Sequence, residues 1–169
     1  MRIETIISIL IAALVAASLP AMAQRPALPP TAEDGAPISS LTAAEISQSL
    51  EQLGVKAELT RASNNDPVLR VQLVASRPTA VRLSNCRGER CAGIYLSTSA
   101  PKRADGPTLA QVNRWNSDKR WSRSYIAASG EAVLESELLL AEGVSRASVR
   151  VLLERHREQI AEWLKELGY

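Results

Sequence analysis

The sequence predicts an α+β domain in which an antiparallel sheet of about five strands is flanked by helices, in the order α-β-β-β-α-β-β-α. Three observations support this prediction. Several segments alternate apolar and polar residues with a period of two, capping motifs precede segments of helical period, and short turns containing glycine join consecutive strands. Strands joined by such short turns run antiparallel. The longest helix is expected last in the chain.

Residues 1–23 have the organisation of a cleavable signal peptide. Arg2 gives a positive start, residues 6–19 are almost entirely apolar, and Ala21-Met22-Ala23 is the small-x-small pattern after which signal peptidase cuts. We expect cleavage before Gln24 and export to the periplasm or out of the cell, without stable membrane insertion afterwards. An uncleaved anchor is the alternative, because the apolar run barely reaches the roughly twenty residues that span a bilayer.

Composition and charge argue against a nucleic-acid-binding protein. The net charge is +2, and removal of residues 1–23 leaves it unchanged because one base and one acid, Arg2 and Glu4, are lost together. Charges of both signs are interspersed, whereas nucleic-acid-binding domains usually carry a basic stripe. The remaining chain has the length of a single domain.

Residues 24–40 are expected to form a Pro-rich linker. Pro26, Pro29, Pro30 and Pro37 occur among few large apolar residues, so this segment cannot bury enough surface to offset its ordering. The alternative is that the segment serves as a ligand for a partner with a groove.

Residues 41–169 are expected to form the folded domain, which begins with a helix. Thr42 and Glu45 form a capping box, and apolar residues then recur at helical spacing as far as Gly54. Strands with period-two alternation are expected at residues 68–74, 79–85 and 92–98, and residues 55–60 are a weaker candidate.

Cys86 and Cys91 flank a four-residue loop between two predicted strands. If they face each other, Leu83 pairs with Ile94 and Val81 pairs with Leu96, which gathers the apolar side chains on one face. A disulfide bond between the two cysteines is therefore expected in an exported chain. A metal site is not expected because zinc needs about four ligands and the chain has one histidine, and the spacing is not the C-x-x-C of redox enzymes.

A second capping box, from Thr108 to Gln111, predicts a short helix that ends at about Trp115 or Asn116. Residues 120–127 and 132–140 are then typical of a hairpin.

The large apolar side chains suggest a register for this hairpin. Pairing Ala128 with Glu131 sets Tyr125 opposite Leu134 and Trp121 opposite Leu138. The same register points Glu135 and Glu137 outward and turns Arg123 inward, where a charge requires a partner or an aromatic stack.

The last helix is capped by Ser145 and carries an apolar stripe. The stripe consists of Val149, Leu152, Leu153, His156, Ile160, Trp163, Leu164 and Leu167. Because His156 has no serine, cysteine or carboxylate partner in a recognisable motif, we interpret it as a packed or interfacial histidine. No residue is assigned a catalytic role, and nothing in the sequence implies a cofactor.

Trp115, Asn116, Arg120 and Arg123 form a candidate recognition patch. A basic patch lined by aromatic residues suits a peptide, an anionic ligand or nucleic acid. The alternative, which we favour, is structural: the tryptophan anchors a helix, the asparagine ends it and the arginines pair with carboxylates.

Several segments of the chain resemble the YbjN domain, a bacterial family. The resemblance rests on Val112-Asn113-Arg114-Trp115-Asn116, Lys119-Arg120, Arg123-Ser124-Tyr125, a turn with Gly130, and Glu142-Gly143-Val144-Ser145. It covers most of the chain from Leu41 onward. It implies an α+β fold similar to the chaperones of type III secretion and implies no catalytic residues.

Two hypotheses for the function follow. The first is an exported, non-enzymatic interaction or regulatory module that binds a protein partner outside the cytoplasm, either as a monomer or as a homo-oligomer. The second is a small-molecule sensor in the cell envelope with a pocket between sheet and helices.

Overall fold

The computed structural model of the chain describes residues 35–75 and 77–169. The predicted signal peptide, its cleavage site and the first part of the predicted linker lie outside these ranges. In the described residues the elements are, in chain order, β1 (Pro37–Ile38), α1 (Ala43–Gln52), β2 (Ala57–Arg61), β3 (Pro67–Val74), β4 (Arg77–Arg87), β5 (Arg90–Ala100), α2 (Leu109–Asp118), β6 (Arg123–Ile126), β7 (Ala132–Leu139), β8 (Val144–Ser145) and α3 (Arg146–Glu166).

The predicted α+β class and its element order are confirmed. Strands β2 to β7 form one antiparallel sheet in the order β2-β3-β4-β5-β7-β6. The sheet has one strand more than the five expected, because the weak candidate near residues 55–60 forms β2. Strands β1 and β8 form a separate small sheet, with Pro37 opposite Ser145 and Ile38 opposite Val144. The last residues of the predicted linker thus take part in the fold.

The register predicted for the cysteine hairpin is confirmed. Leu83 lies opposite Ile94 and Val81 lies opposite Leu96 across β4 and β5. Cys86 faces Cys91 with the sulfur atoms 2.14 Å apart, which is bonding distance. Cys91 also exchanges two backbone hydrogen bonds with Leu41, so the hairpin is fixed to the segment that leads into α1.

The register predicted for the hairpin of β6 and β7 is wrong by one residue. Ser124, not Tyr125, lies opposite Leu134, and Arg123 lies opposite Glu135. A slip of one residue reverses the face of every side chain in a strand. Arg123 and Tyr125 therefore point to the face away from the helices, and Ser124 is buried on the helix side.

The predicted extent of β6 is also wrong at its beginning. The strand starts at Arg123 instead of residue 120, and Trp121 lies outside it with a φ of 72° and 73% of its surface exposed. Because a tryptophan with positive φ cannot continue a strand, the chain turns away from β7 at this residue.

The helices pack against one face of the sheet, here called the inner face. Both predicted capping boxes are present, at Thr42–Glu45 and Thr108–Gln111. The apolar stripe of α3 is confirmed, since its members are buried or half-buried in the core with residues of α1 and of the sheet. The opposite, outer face carries polar and charged side chains in alternation with the inner ones.

Helix α2 continues to Asp118, beyond the predicted end at Trp115 or Asn116. The side chain of Asn116 does not terminate the helix but bonds to the backbone of β6. Among the described residues, no helix is long and apolar enough to span a membrane.

Candidate functional site

The early end of β6 leaves part of β7 without a neighbour on one side. Strand β6 pairs with β7 only from Ala132 to Glu135, whereas β7 pairs with β5 along its whole length to Leu139. The edge of residues 136–139 is thus open, and we call it the open edge of β7. Unpaired strand edges are positions at which another extended chain can add.

The hydrogen-bond pattern shows which backbone groups face outward at this edge. In antiparallel sheets, alternate residues of a strand direct their N–H and C=O groups to opposite neighbours. Leu140 donates to the carbonyl of Ala92 on the β5 side, and Ala127 donates to the carbonyl of Glu131 on the β6 side. By this alternation Glu137 and Leu139 direct their backbone groups to the open side. Among the described residues, no group binds them there.

An apolar cleft lies on the inner side of the open edge. It has a volume of about 510 Å³ and lies between β7 and the first half of α3. Its lining includes Leu138 from the strand, Val151 and Leu152 from the helix, and Trp121 at one end. Trp121 and Val151 are 73% and 45% exposed, so large apolar side chains are open to solvent here. We call this space the inner cleft.

A smaller cleft of about 240 Å³ lies on the other side of the same edge. It is bordered by Tyr95 and Trp121, by the carboxylates of Glu135 and Glu137, and by Arg123. We call this space the outer cleft. Trp121, Ser136 and Glu137 line both clefts, so the two spaces meet at the open edge.

Glu135 is a buried carboxylate on the outer face, although Glu residues are seldom buried without a partner. Its two oxygens accept hydrogen bonds from Arg123 Nε at 2.7 Å and from the Tyr125 hydroxyl at 2.6 Å. Burial, and then the charge of Glu137, raise the pKa of Glu135, whereas Arg82 acts in the opposite direction. The arginine that the sequence placed inward thus has a partner, but on the outer face.

His156 is fully buried between α3 and the sheet, as the packed interpretation expected. Its Nδ1 atom lies 2.9 Å from the Ser136 hydroxyl, and its Nε2 atom lies 3.1 Å from the Thr98 hydroxyl. Thr98 continues the chain of hydrogen bonds to Thr79 at 2.7 Å. Burial lowers the pKa of His156 to about 4, so the ring is neutral near pH 7.

The serine and histidine of this network are hydrogen-bonded like a nucleophile and its base, but they are not accessible. His156 is 0% exposed and Ser136 is 5% exposed. The third member is a threonine hydroxyl, which cannot stabilise an imidazolium as a carboxylate does. The network satisfies buried polar groups between sheet and helix.

The structure does not bring the four residues of the predicted patch onto one surface. Trp115 is buried and donates its indole N–H to Ser122 at 3.2 Å. Asn116 holds both backbone groups of Ser124, at 2.7 and 2.8 Å. Arg120 is exposed, and Arg123 lies on the outer face against Glu135.

Sequence reasoning missed the residues that line the clefts. The register predicted from the sequence places Trp121 on the inner face and points Glu137 outward, and Val151 is assigned no position. A signal for Val151 existed, because it is a large apolar residue off the stripe of α3. Among the described residues, no group of three His, Cys, Asp or Glu side chains is placed to hold a metal ion.

Comparison with known proteins identifies the family. No curated protein matches the sequence. The family model YbjN, described as "Putative bacterial sensory transduction regulator", matches residues 42–169, which is the whole segment from the cap of α1 onward. The chain therefore belongs to the YbjN family.

Proposed function

We propose that this chain is an exported regulatory protein that acts by binding a protein partner outside the cytoplasm, and that the partner binds at the inner cleft. The family description as a regulator of sensory transduction supports a regulatory role. The main observation in support of the binding site is that Trp121 and Val151, two apolar residues that line the inner cleft, are exposed to solvent. Contiguous exposed apolar surface beside polar residues is typical of interaction sites.

A non-enzymatic role fits the chemistry of the site. The Ser136–His156 pair is the arrangement nearest to a catalytic one among the described residues, and its burial excludes substrate. The clefts hold no histidine, and Glu135 is engaged by Arg123 and Tyr125. Binding is therefore the activity that this surface supports.

The alternative is a small-molecule sensor. Away from the open edge, the layer between sheet and helices is filled by buried side chains such as Trp163, Leu153 and Leu96. The inner cleft lies between β7 and α3 only where this layer reaches the surface beside a strand edge, and such a position suits a polypeptide better than an enclosed ligand. A thermal-shift screen with metabolites tests this alternative.

Site-specific crosslinking tests the proposed binding site. Val151 is replaced by the photoreactive residue p-benzoylphenylalanine in the full-length chain, and cells are irradiated. We expect an adduct with one protein of the cell envelope, recovered reproducibly and identified by mass spectrometry. The matched control is the same replacement of Leu109, an apolar residue of α2 that is 67% exposed and outside both clefts. Equal adducts at both positions, or none at Val151, would contradict the proposal.

Export is tested separately by the mass of the purified protein. A mass that begins at Gln24 supports cleavage of residues 1–23. Retention of Met1 to Ala23 would refute the cleaved form and favour the anchored alternative.

A further inference from the structure

We infer that the partner binds by adding an extended segment to the open edge of β7, and that this segment alternates apolar and basic side chains. This inference rests on the proposed function and specifies how the partner is recognised. It follows from the relation between the open edge and the two clefts on either side of it.

The open edge provides the backbone contacts. Glu137 and Leu139 direct their N–H and C=O groups to the side of β7 on which β6 pairs with residues 132–135. An added segment would therefore lie on the same line as β6. A segment that continues this line over residues 136–139 would satisfy these groups. At about 3.3 Å per residue the segment would contain four or five residues.

The two clefts correspond to the two faces of an added strand. Successive side chains of a strand point to opposite faces of the sheet. The residue opposite Glu137 would point into the outer cleft, and the residues before and after it would point into the inner cleft. A single strand would therefore fill both clefts.

The lining of each cleft determines the residue that fits. Val151, Leu152 and Leu138 favour apolar side chains in the inner cleft, and Arg155 at its border disfavours a basic one. In the outer cleft, Arg123 is paired with Glu135, whereas Glu137 has no ion-pair partner among the described residues. Cross-strand pairs of opposite charge stabilise a sheet, so a lysine or arginine is favoured opposite Glu137. Trp121 and Tyr95 add aromatic surface for the cation.

Two other occupants fit less well. The Pro-rich segment before Gly35 contains Pro26, Pro29 and Pro30, and proline lacks the N–H that a strand pairing requires. A second copy pairing through the same edge would bring two Glu137 side chains onto one face without a cation between them. The edge therefore suits a different protein.

The edge of β2 is less suited to such addition. Its exposed positions carry charges of opposite sign, Glu58 and Arg61, so this edge offers no single charge for an added strand to complement. Neither cleft lies beside it.

Crosslinking from Val151 in variant backgrounds tests strand addition. Leu139→Pro removes an N–H that faces the open side, and Leu139→Ala keeps it. We expect at least a tenfold loss of the partner adduct in the proline variant and little change in the alanine variant. Glu137→Lys, an exposed substitution that keeps the backbone, should also reduce the adduct several-fold. Thermal melting verifies that each variant folds. If Leu139→Pro does not fold, Glu137→Lys still tests the proposal.

Mass spectrometry of the crosslinked peptide tests the sequence pattern. We expect a segment with a basic residue between apolar neighbours. An adduct that persists in Leu139→Pro and Glu137→Lys would overturn strand addition and leave the proposed function intact. A crosslinked peptide derived from this chain itself would overturn the choice of a different protein as partner. Absence of any adduct in the parent chain would instead refute the proposed function.

Discussion

His156 makes the stability of the fold depend on pH. The ring is 0% exposed, and burial lowers its pKa from the ordinary 6.5 to about 4. In the unfolded chain the imidazole takes up a proton near pH 6.5, whereas in the folded protein it stays neutral until about pH 4. Between these values the unfolded state binds more protons, so acid lowers the free energy of unfolding.

The size of this effect follows from the shift. At about 1.4 kcal/mol per pKa unit, the shift corresponds to a total of about 3 kcal/mol, of which about 2 kcal/mol is lost between about pH 7 and pH 5. His156 is the only histidine of the chain, so no other imidazole titrates in this range. Burial acts to raise the pKa of Glu45, but the hydrogen bonds from Arg146 and from the cap of α1 together lower it, so Glu45 adds a further loss only at more acidic pH, below its ordinary value of 4.5.

Urea unfolding of the parent chain and of a matched variant at pH 7, 6 and 5 measures this loss as a difference, because the raised pKa of Glu135 acts in the opposite direction in both proteins. The matched variant is His156→Gln, which presents an amide to Ser136 and Thr98 but takes up no proton. We expect the variant to be less stable at pH 7 and to lose much less stability than the parent chain on going to pH 5. Because the prediction concerns the change with pH, a general destabilisation of the variant does not affect it. Equal losses in both proteins would refute the assignment of the pH dependence to His156.

Three further outcomes are expected. The purified protein should have a mass two hydrogen atoms below that of its reduced form, and replacing Cys86 and Cys91 by serine should cost about 2 kcal/mol because the bond closes a short loop. Asn116→Ala should cost about 1 to 3 kcal/mol in urea unfolding because two backbone groups of Ser124 lose their partners, and a small effect would exclude the structural role. The control Asn113→Ala, an exposed position on the same helix, should be nearly neutral. Arg103 donates to the carbonyls of Leu167 and Gly168 and stacks on Tyr169, so Arg103→Ala should cost about 2 kcal/mol and speed hydrogen exchange at the end of α3. Unchanged exchange would contradict this prediction.

Features determined by neighbouring residues could be predicted from the sequence. The capping boxes at Thr42 and Thr108 depend on two residues three positions apart, and the stripe of α3 depends on helical period alone. The register of β4 and β5 could also be predicted, because the loop is short and both strands carry large apolar residues on the same face.

The register of β6 and β7 could not be obtained in this way. The register that places the most large apolar side chains on one face would put Tyr125 and Trp121 on the inner face. The structure instead places Ser124 there. The reason is a polar requirement from another part of the chain: the indole N–H of buried Trp163 donates to the Ser124 hydroxyl at 2.9 Å. An unsatisfied indole in the core would cost more than the exposure of a tyrosine whose hydroxyl remains bonded to Glu135.

The hydrogen bonds of His156 also depend on residues from distant parts of the chain, but the sequence contains a signal for them. Thr79, Thr98 and Ser136 are polar residues at inward positions of three strands, where apolar residues are the rule. Buried hydroxyls require partners, and His156 was the polar residue on the facing helix stripe. Taken together, the inward hydroxyls of three strands therefore point to a polar partner on the facing helix, which is His156.

The open edge of β7 is itself a consequence of these polar requirements. Asn116 holds Ser124 at the end of α2, so residues 119–122 must connect the end of that helix to β6 over a short distance. Gln159 on α3 donates to the carbonyl of Arg120 at 2.7 Å, which ties this connection to α3. The chain then reaches β6 through the positive φ of Trp121, so β6 begins at Arg123 and exposes the edge. The residues that fix the core of the hairpin are therefore also those that leave the outward backbone groups of Glu137 and Leu139 unpaired among the described residues.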